Sequence, residues 1–136
     1  MRILLAAAIL IVAGCATTQP QRQTDNIDLP FVDDSQVIGK WESVDFVKTP
    51  EQFRTGQKNW RGDLYLRELV FQADGKTSKP WWTWTKGILI HGGDKTASKY
   101  IIKQEGGSTY MFLEWKSGDY TIRKRKPSYY VLKKTR

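Results

Sequence analysis

The 136-residue chain has one cysteine, one histidine, and no long apolar run beyond its first fourteen residues. A single cysteine excludes an intrachain disulfide, and with one histidine it excludes a Cys/His zinc cluster. His91 precedes Gly92-Gly93 at the end of an apolar run, so it reads as a turn residue before a catalytic one. No G-x-S-x-G motif is present, which removes that nucleophile elbow. Glu68 and Glu114 are the one carboxylate pair to weigh for glycoside hydrolysis, and nothing in the sequence sets their separation. The chain therefore reads as a non-enzyme with no metal or cofactor. Acidic residues are also few, 14 against 22 basic ones, for a net charge of +8.

What is present begins at the N-terminus. Arg2 opens a short positive segment, and the apolar Ile3 to Val12 is shorter than the about 20 residues that span a bilayer. Residues 1–14 thus read as a signal peptide. They run into Val12-Ala13-Gly14-Cys15, which resembles a bacterial lipobox and implies that Cys15 carries lipid after cleavage. Several acyl chains, at about 0.8 kcal/mol per buried CH₂, would hold the protein on a membrane. Cleavage removes Arg2 and leaves 21 basic against 14 acidic residues, +7. Export makes nucleic acid an unsuitable partner for that charge. Lipid headgroups, acidic glycans and envelope proteins are the anions within reach. The expected address is the cell envelope; Ala16 after the cysteine, rather than Asp, points to the outer membrane facing the periplasm in a diderm cell.

Residues 15–35 are polar and interrupted by proline, and read as a lipidated cysteine and a flexible tether with a reach of about 25 Å. Leu29-Pro30-Phe31-Val32 is an apolar island that suits a lead-in segment. Residues 36–136 carry the folded domain. Strands are expected over 37–47, 63–71, 76–85, 88–91, 98–103, 109–116, 120–124 and 129–134. Asp74-Gly75, Gly92-Gly93, Gly106-Gly107 and Ser117-Gly118 sit between them as turn signals. Only residues 49–59 leave room for a helical turn or a loop over the domain. The short connections make neighbouring strands antiparallel, and closure removes exposed edges. The expected fold is therefore all-β, a small eight-stranded antiparallel up-and-down barrel.

Gly39-Lys40-Trp41 at the head of the first strand resembles the G-x-W motif of lipocalins. That resemblance implies that Trp41 closes one end of a lipocalin-like barrel beside a basic residue near the last strand, with Lys133, Lys134 and Arg136 as candidates. The stretches GKWESVDFV, WTWTKGILIH, KTASKY, YMFLEWKSGDYTIR and KPSYYVLKK resemble an uncharacterised bacterial lipocalin-like domain. This domain also occurs outside the membrane in proteins of the membrane-metallopeptidase antirepressor type. The resemblance implies a fold and an extracytoplasmic placement but no active site. Arg123-Lys124-Arg125-Lys126 departs from it, standing where the family has a glycine in the turn.

Alternation along the strands selects the candidate site. Trp82 and Trp84 share one face and Trp81 takes the other, while Tyr110 and Phe112 oppose Met111 and Leu113. A strand apolar on both faces suggests a cavity wall. Trp82, Trp84, Tyr110 and Phe112 are therefore expected to line one site inside the barrel, with Glu114 or Arg123 at its mouth orienting a polar head. Arg67, Arg123 and Lys99 are the candidate partners for a buried carboxylate. The expected function is a membrane-anchored envelope lipoprotein that binds a small apolar or amphipathic ligand. The alternative is an extracytoplasmic protein-interaction or sensing module using its basic and aromatic surface.

Overall fold

The stretch GKWESVDFV forms β1, Gly39–Val47, with Trp41, Asp45 and Val47 buried; a register shift between Ser43 and Asp45 turns Trp41 and Val47 to opposite faces. Six further strands follow: β2 Glu68–Phe71, β3 Trp82–Thr85, β4 Ile88–His91, β5 Thr96–Glu105, β6 Ser108–Trp115 and β7 Ser128–Lys134. The structure, a computed structural model, describes residues 21–136. The expected signal peptide and Cys15 lie outside the described residues. The strands form one sheet in the order β2-β1-β7-β6-β5-β4-β3, every pair antiparallel. Its two edges nearly meet. Bridges from Phe71 to Thr77 and from Lys76 to Thr83 join β2 to β3 through the short segment between them. Ser78 N–H donates to Val70 C=O at 2.9 Å and Trp84 N–H to Gly75 C=O at 2.8 Å, so the sheet curls into a barrel-like shape.

The count is seven strands, not eight. The segment 76–85 breaks at a turn, leaving β3 as its second half, and 63–67 belongs to a loop rather than to β2. The strand expected over 120–124 is absent, and a short helix α1, Gly118–Thr121, stands there. The reason is that β6 and β7 pair directly from Tyr110↔Lys133 to Trp115↔Ser128, which leaves no vacancy between them. In the connection that results, Lys124 adopts φ +56°. That is the left-handed region that favours glycine, and a lysine occupies it.

Alternation produces two apolar layers. The inner face packs Trp41, Leu69, Phe71, Trp84, Leu89, Met111, Leu113 and Leu132 into the barrel's interior. The outer layer holds Val47, Tyr110, Phe112 and Val131 under Phe53. Phe53 follows a 3-10 turn, Pro50–Gln52, in the β1–β2 loop, and its ring lies 5.0 Å from Tyr110 and 5.8 Å from Phe112. Asp45, fully buried, ties that loop down by accepting the backbone N–H groups of Asn59 and Trp60, each at 2.9 Å. Burial works to raise the Asp45 carboxyl, but these hydrogen bonds outweigh it and hold it below the ordinary carboxylate value.

One end of the barrel is stoppered. Trp41 is wholly buried, its indole N–H donates to Val37 C=O at 2.8 Å, and Lys134 Nζ sits 5.7 Å from the ring centroid. Of the three basic candidates, Lys134 is thus the one over Trp41. Gly39 stands at φ +131°, where a Cβ would collide with the Arg136 carbonyl, so the first position of G-x-W has a steric reason to be glycine.

The segment before β1 differs from a flexible tether. From Gln23 onward it is a strap bound along the barrel wall. Gln23 N–H donates to Thr121 C=O at 2.7 Å, and Asp25 accepts Lys116 Nζ at 2.8 Å, Tyr120 O–H at 2.6 Å and Ala97 N–H at 2.9 Å. Burial opposes the Asp25 charge, yet these donors more than offset it and keep the carboxyl below its usual value. Further along, Phe31 meets Trp84 edge-on at 5.1 Å, and Thr85 Oγ1 bonds both Pro30 C=O and Val32 N–H. Among the described residues, the seven strands, both apolar layers and the strap pack on one another.

Candidate functional site

The end of the barrel opposite Trp41 is open. There β3 begins, β4 and β6 end, and the inward-facing side chains at those positions are Trp82, His91 and Trp115. His91 pairs in register with Trp82, and the two rings stack at 4.3 Å with 9° between their planes. Trp115 meets both edge-on, at 6.0 Å and 5.6 Å. Tyr65, from the β1–β2 loop, stands 6.0 Å from Trp115 and is 83% exposed; Trp81 is 64% exposed. These five rings surround an open cavity of about 340 Å³, with Asp94, Lys116 and Ser117 on its rim. Tyr65 also borders two smaller recesses of about 270 and 140 Å³, so the mouth is broad and lobed.

The electrostatics are mixed. Burial pushes the His91 imidazole down to about 4 despite the nearby Asp94, so it is neutral at pH 7. Its Nε2 is buried and has no hydrogen-bond partner, which leaves one polar atom unsatisfied in an aromatic wall. Asp25 holds Lys116 protonated above its usual range against the effect of burial. The arrangement offers aromatic faces for stacking and a charged rim for orientation. Among the described residues no group of three or more His, Cys, Asp and Glu side chains could hold a metal ion, and no helix is long and apolar enough to cross a membrane.

The expected site is divided by the structure. Trp82 lines the mouth, whereas Trp84 lies deep in the interior, its indole N–H bonded to Gln72 C=O at 2.8 Å. Tyr110 and Phe112 face the opposite way, into the outer layer under Phe53, and reach no cavity with Trp82 or Trp84. The second apolar face of β6 is covered by the chain's own loop. Glu114 lies outside the mouth, half-buried, its Oε1 accepting the Lys99 backbone N–H at 2.7 Å. Glu68 is exposed and pairs with Lys40 at 3.2 Å; it sits on β2, separated from Glu114 on β6 by β1 and β7 in the sheet order. Arg123 is exposed and bonded to Asp119 at 2.6 Å. Conversely, Tyr65, Trp81, His91 and Trp115 were not among the expected site residues. For His91 the signal lay in ILIH itself, where Leu89 inward implies His91 inward. Comparison with protein-family models, with characterised proteins and with solved structures returns no match.

Proposed function

We propose that the protein is a lipid-anchored envelope protein whose barrel mouth binds a small amphipathic ring ligand, a saccharide unit being the class that fits. The carrying observation is the five-ring wall of Tyr65, Trp81, Trp82, His91 and Trp115 around an open cavity of about 340 Å³. Sugar rings stack their C–H faces on aromatic planes while their hydroxyls need polar partners, here Asp94, Lys116 and Ser117 on the rim. A fatty acid suits the site less well, because the interior beyond Trp82 is filled by Trp84, Met111 and Leu113 and leaves no channel for a long chain. The Trp41 stopper with Lys134 above it supports kinship with lipocalin-like barrels.

Two measurements test this reading. Residues 21–136, titrated with neutral and acidic oligosaccharides and with a fatty acid, should show saturable tryptophan quenching by a saccharide. Trp81→Ala should weaken that binding about tenfold, the loss of one stacking face. Quenching by the fatty acid alone, or saccharide binding indifferent to Trp81→Ala, would exclude the ring-binding mouth. For the anchor, Cys15→Ala should shift the protein to the soluble fraction or leave it as uncleaved precursor. Mature-sized, membrane-bound protein in that variant refutes lipidation.

A further inference from the structure

We propose that the open end of the barrel docks on a surface of anionic phospholipid headgroups, so that the aromatic mouth opens directly onto the membrane. The charge of the chain is concentrated at this end. Its loops, residues 48–67, 79–81, 92–95 and 116–127, carry twelve Lys and Arg against four Asp and Glu, a net +8. The remainder of residues 21–136 carries nine basic and ten acidic residues, a net −1. Within about 10 Å of an anionic surface such a face is attracted, and the opposite end contributes nothing.

The exposed tryptophans and tyrosine follow the same division, whereas Phe31, Val32 and Ile101 are exposed away from this end. The exposed tryptophans, Trp60 at 42% and Trp81 at 64%, and the exposed tyrosine, Tyr65 at 83%, all stand at this end, with Ile122 at 53% beside the basic run. Trp and Tyr are the side chains that settle at headgroup level, with an apolar body and a polar tip. Basic residues interleaved with them match a lipid surface better than either class alone.

The strap fixes the orientation. It leaves the barrel at the same end, where Gln23 bonds Thr121 and Asp25 is gripped by Lys116 and Tyr120. Eight residue steps, with seven residues between, separate Cys15 from Gln23. Fully extended they reach at most about 28 Å, and as a coil about 16 Å. A barrel held this closely by lipid on Cys15 presents its mouth end, not its stoppered end, to the bilayer. This last step rests on the lipid-anchor reading; the charge and aromatic asymmetry do not.

The test uses residues 21–136, which lack the lipid site, so its outcome is independent of whether Cys15 is acylated and of whether a saccharide binds. Sedimentation with phosphatidylcholine vesicles should retain little protein, and vesicles containing 30% phosphatidylglycerol should retain much more, with the gain lost in high salt. Arg125→Ala with Lys126→Ala should lower partitioning by on the order of tenfold. Trp81→Ala should lower it as well and abolish a blue shift in the emission of the vesicle-bound protein. Lys86→Ala with Lys103→Ala, at the other end, should leave it unchanged. Equal retention on neutral and anionic vesicles, or equal loss from the two double variants, overturns the proposal. No retention on either vesicle overturns it too.

Discussion

Trp41→Ala will lower the stability of the folded domain by about 3–5 kcal/mol, the usual cost of replacing a core aromatic by alanine. Trp41 is wholly buried and lies in register between Leu69 on β2 and Lys134 on β7, where the first and last strands meet. Its loss opens a cavity among Val37, Leu69 and Leu132 and leaves Val37 C=O without its indole donor. Lys134 also loses the ring beneath its ammonium, although it keeps its bond to Gln36 C=O at 2.9 Å. Chemical denaturation monitored by fluorescence measures the change. The exposed Trp81→Ala serves as the comparison and should move stability by no more than about 0.5 kcal/mol. A midpoint that stays in place in Trp41→Ala would show that the indole does not close the barrel.

Mild acid will destabilise the domain through His91. The imidazole is 5% exposed, and burial lowers its folded value from 6.5 to about 4. In the unfolded chain it takes up a proton as pH falls through 6.5, while in the folded chain it resists until about 4. The unfolded state binds more protons in that window, so stability is complete above pH 6.5 and declines from there to about pH 4. The shift corresponds to about 3 kcal/mol. Asp94 pulls in the opposite direction but does not offset burial. His91→Phe keeps a flat ring against Trp82 and should flatten the stability profile across this window. Asp25 and Asp45 act elsewhere: their lowered carboxyls stabilise the fold above 3.8, and that contribution is lost as pH falls below it. Denaturation midpoints at pH 7, 5.5 and 4.5 separate the two. An unchanged pH dependence in His91→Phe would remove His91 as its source.

The fold was legible where short apolar, β-forming runs were bounded by turn residues, as in β1, β4, β6 and β7, because such runs must be buried. Tyr120-Thr-Ile-Arg has β-forming residues, yet the local preference yields to tertiary contacts: Tyr120 O–H reaches Asp25, 95 positions away, from a helical turn. The two apolar faces of β6 were read correctly as faces, but their purpose was not legible. Nothing local to Tyr110 and Phe112 announces that Phe53 will cover them. The strap eluded composition for a related reason. Its order comes from three donors on β5, the end of β6 and α1 converging on one carboxylate, and a single Asp in a polar stretch carries no such signal. His91 was masked by the Gly-Gly that follows it, although Trp82 and His91 lie opposite each other as soon as the β3–β4 hairpin is drawn.

The indole at the far end makes the barrel a blind alley. With Trp41 sealing one end and side chains filling the middle, a molecule admitted past Tyr65 and Trp81 has no onward route and must back out by the way it came. On the proposed function, such a mouth would hold or hand over a ligand but not pass it through. A bulky competitor lodged between Tyr65 and Trp81 would slow departure as much as arrival, leaving a trapped occupant rather than a vacant one.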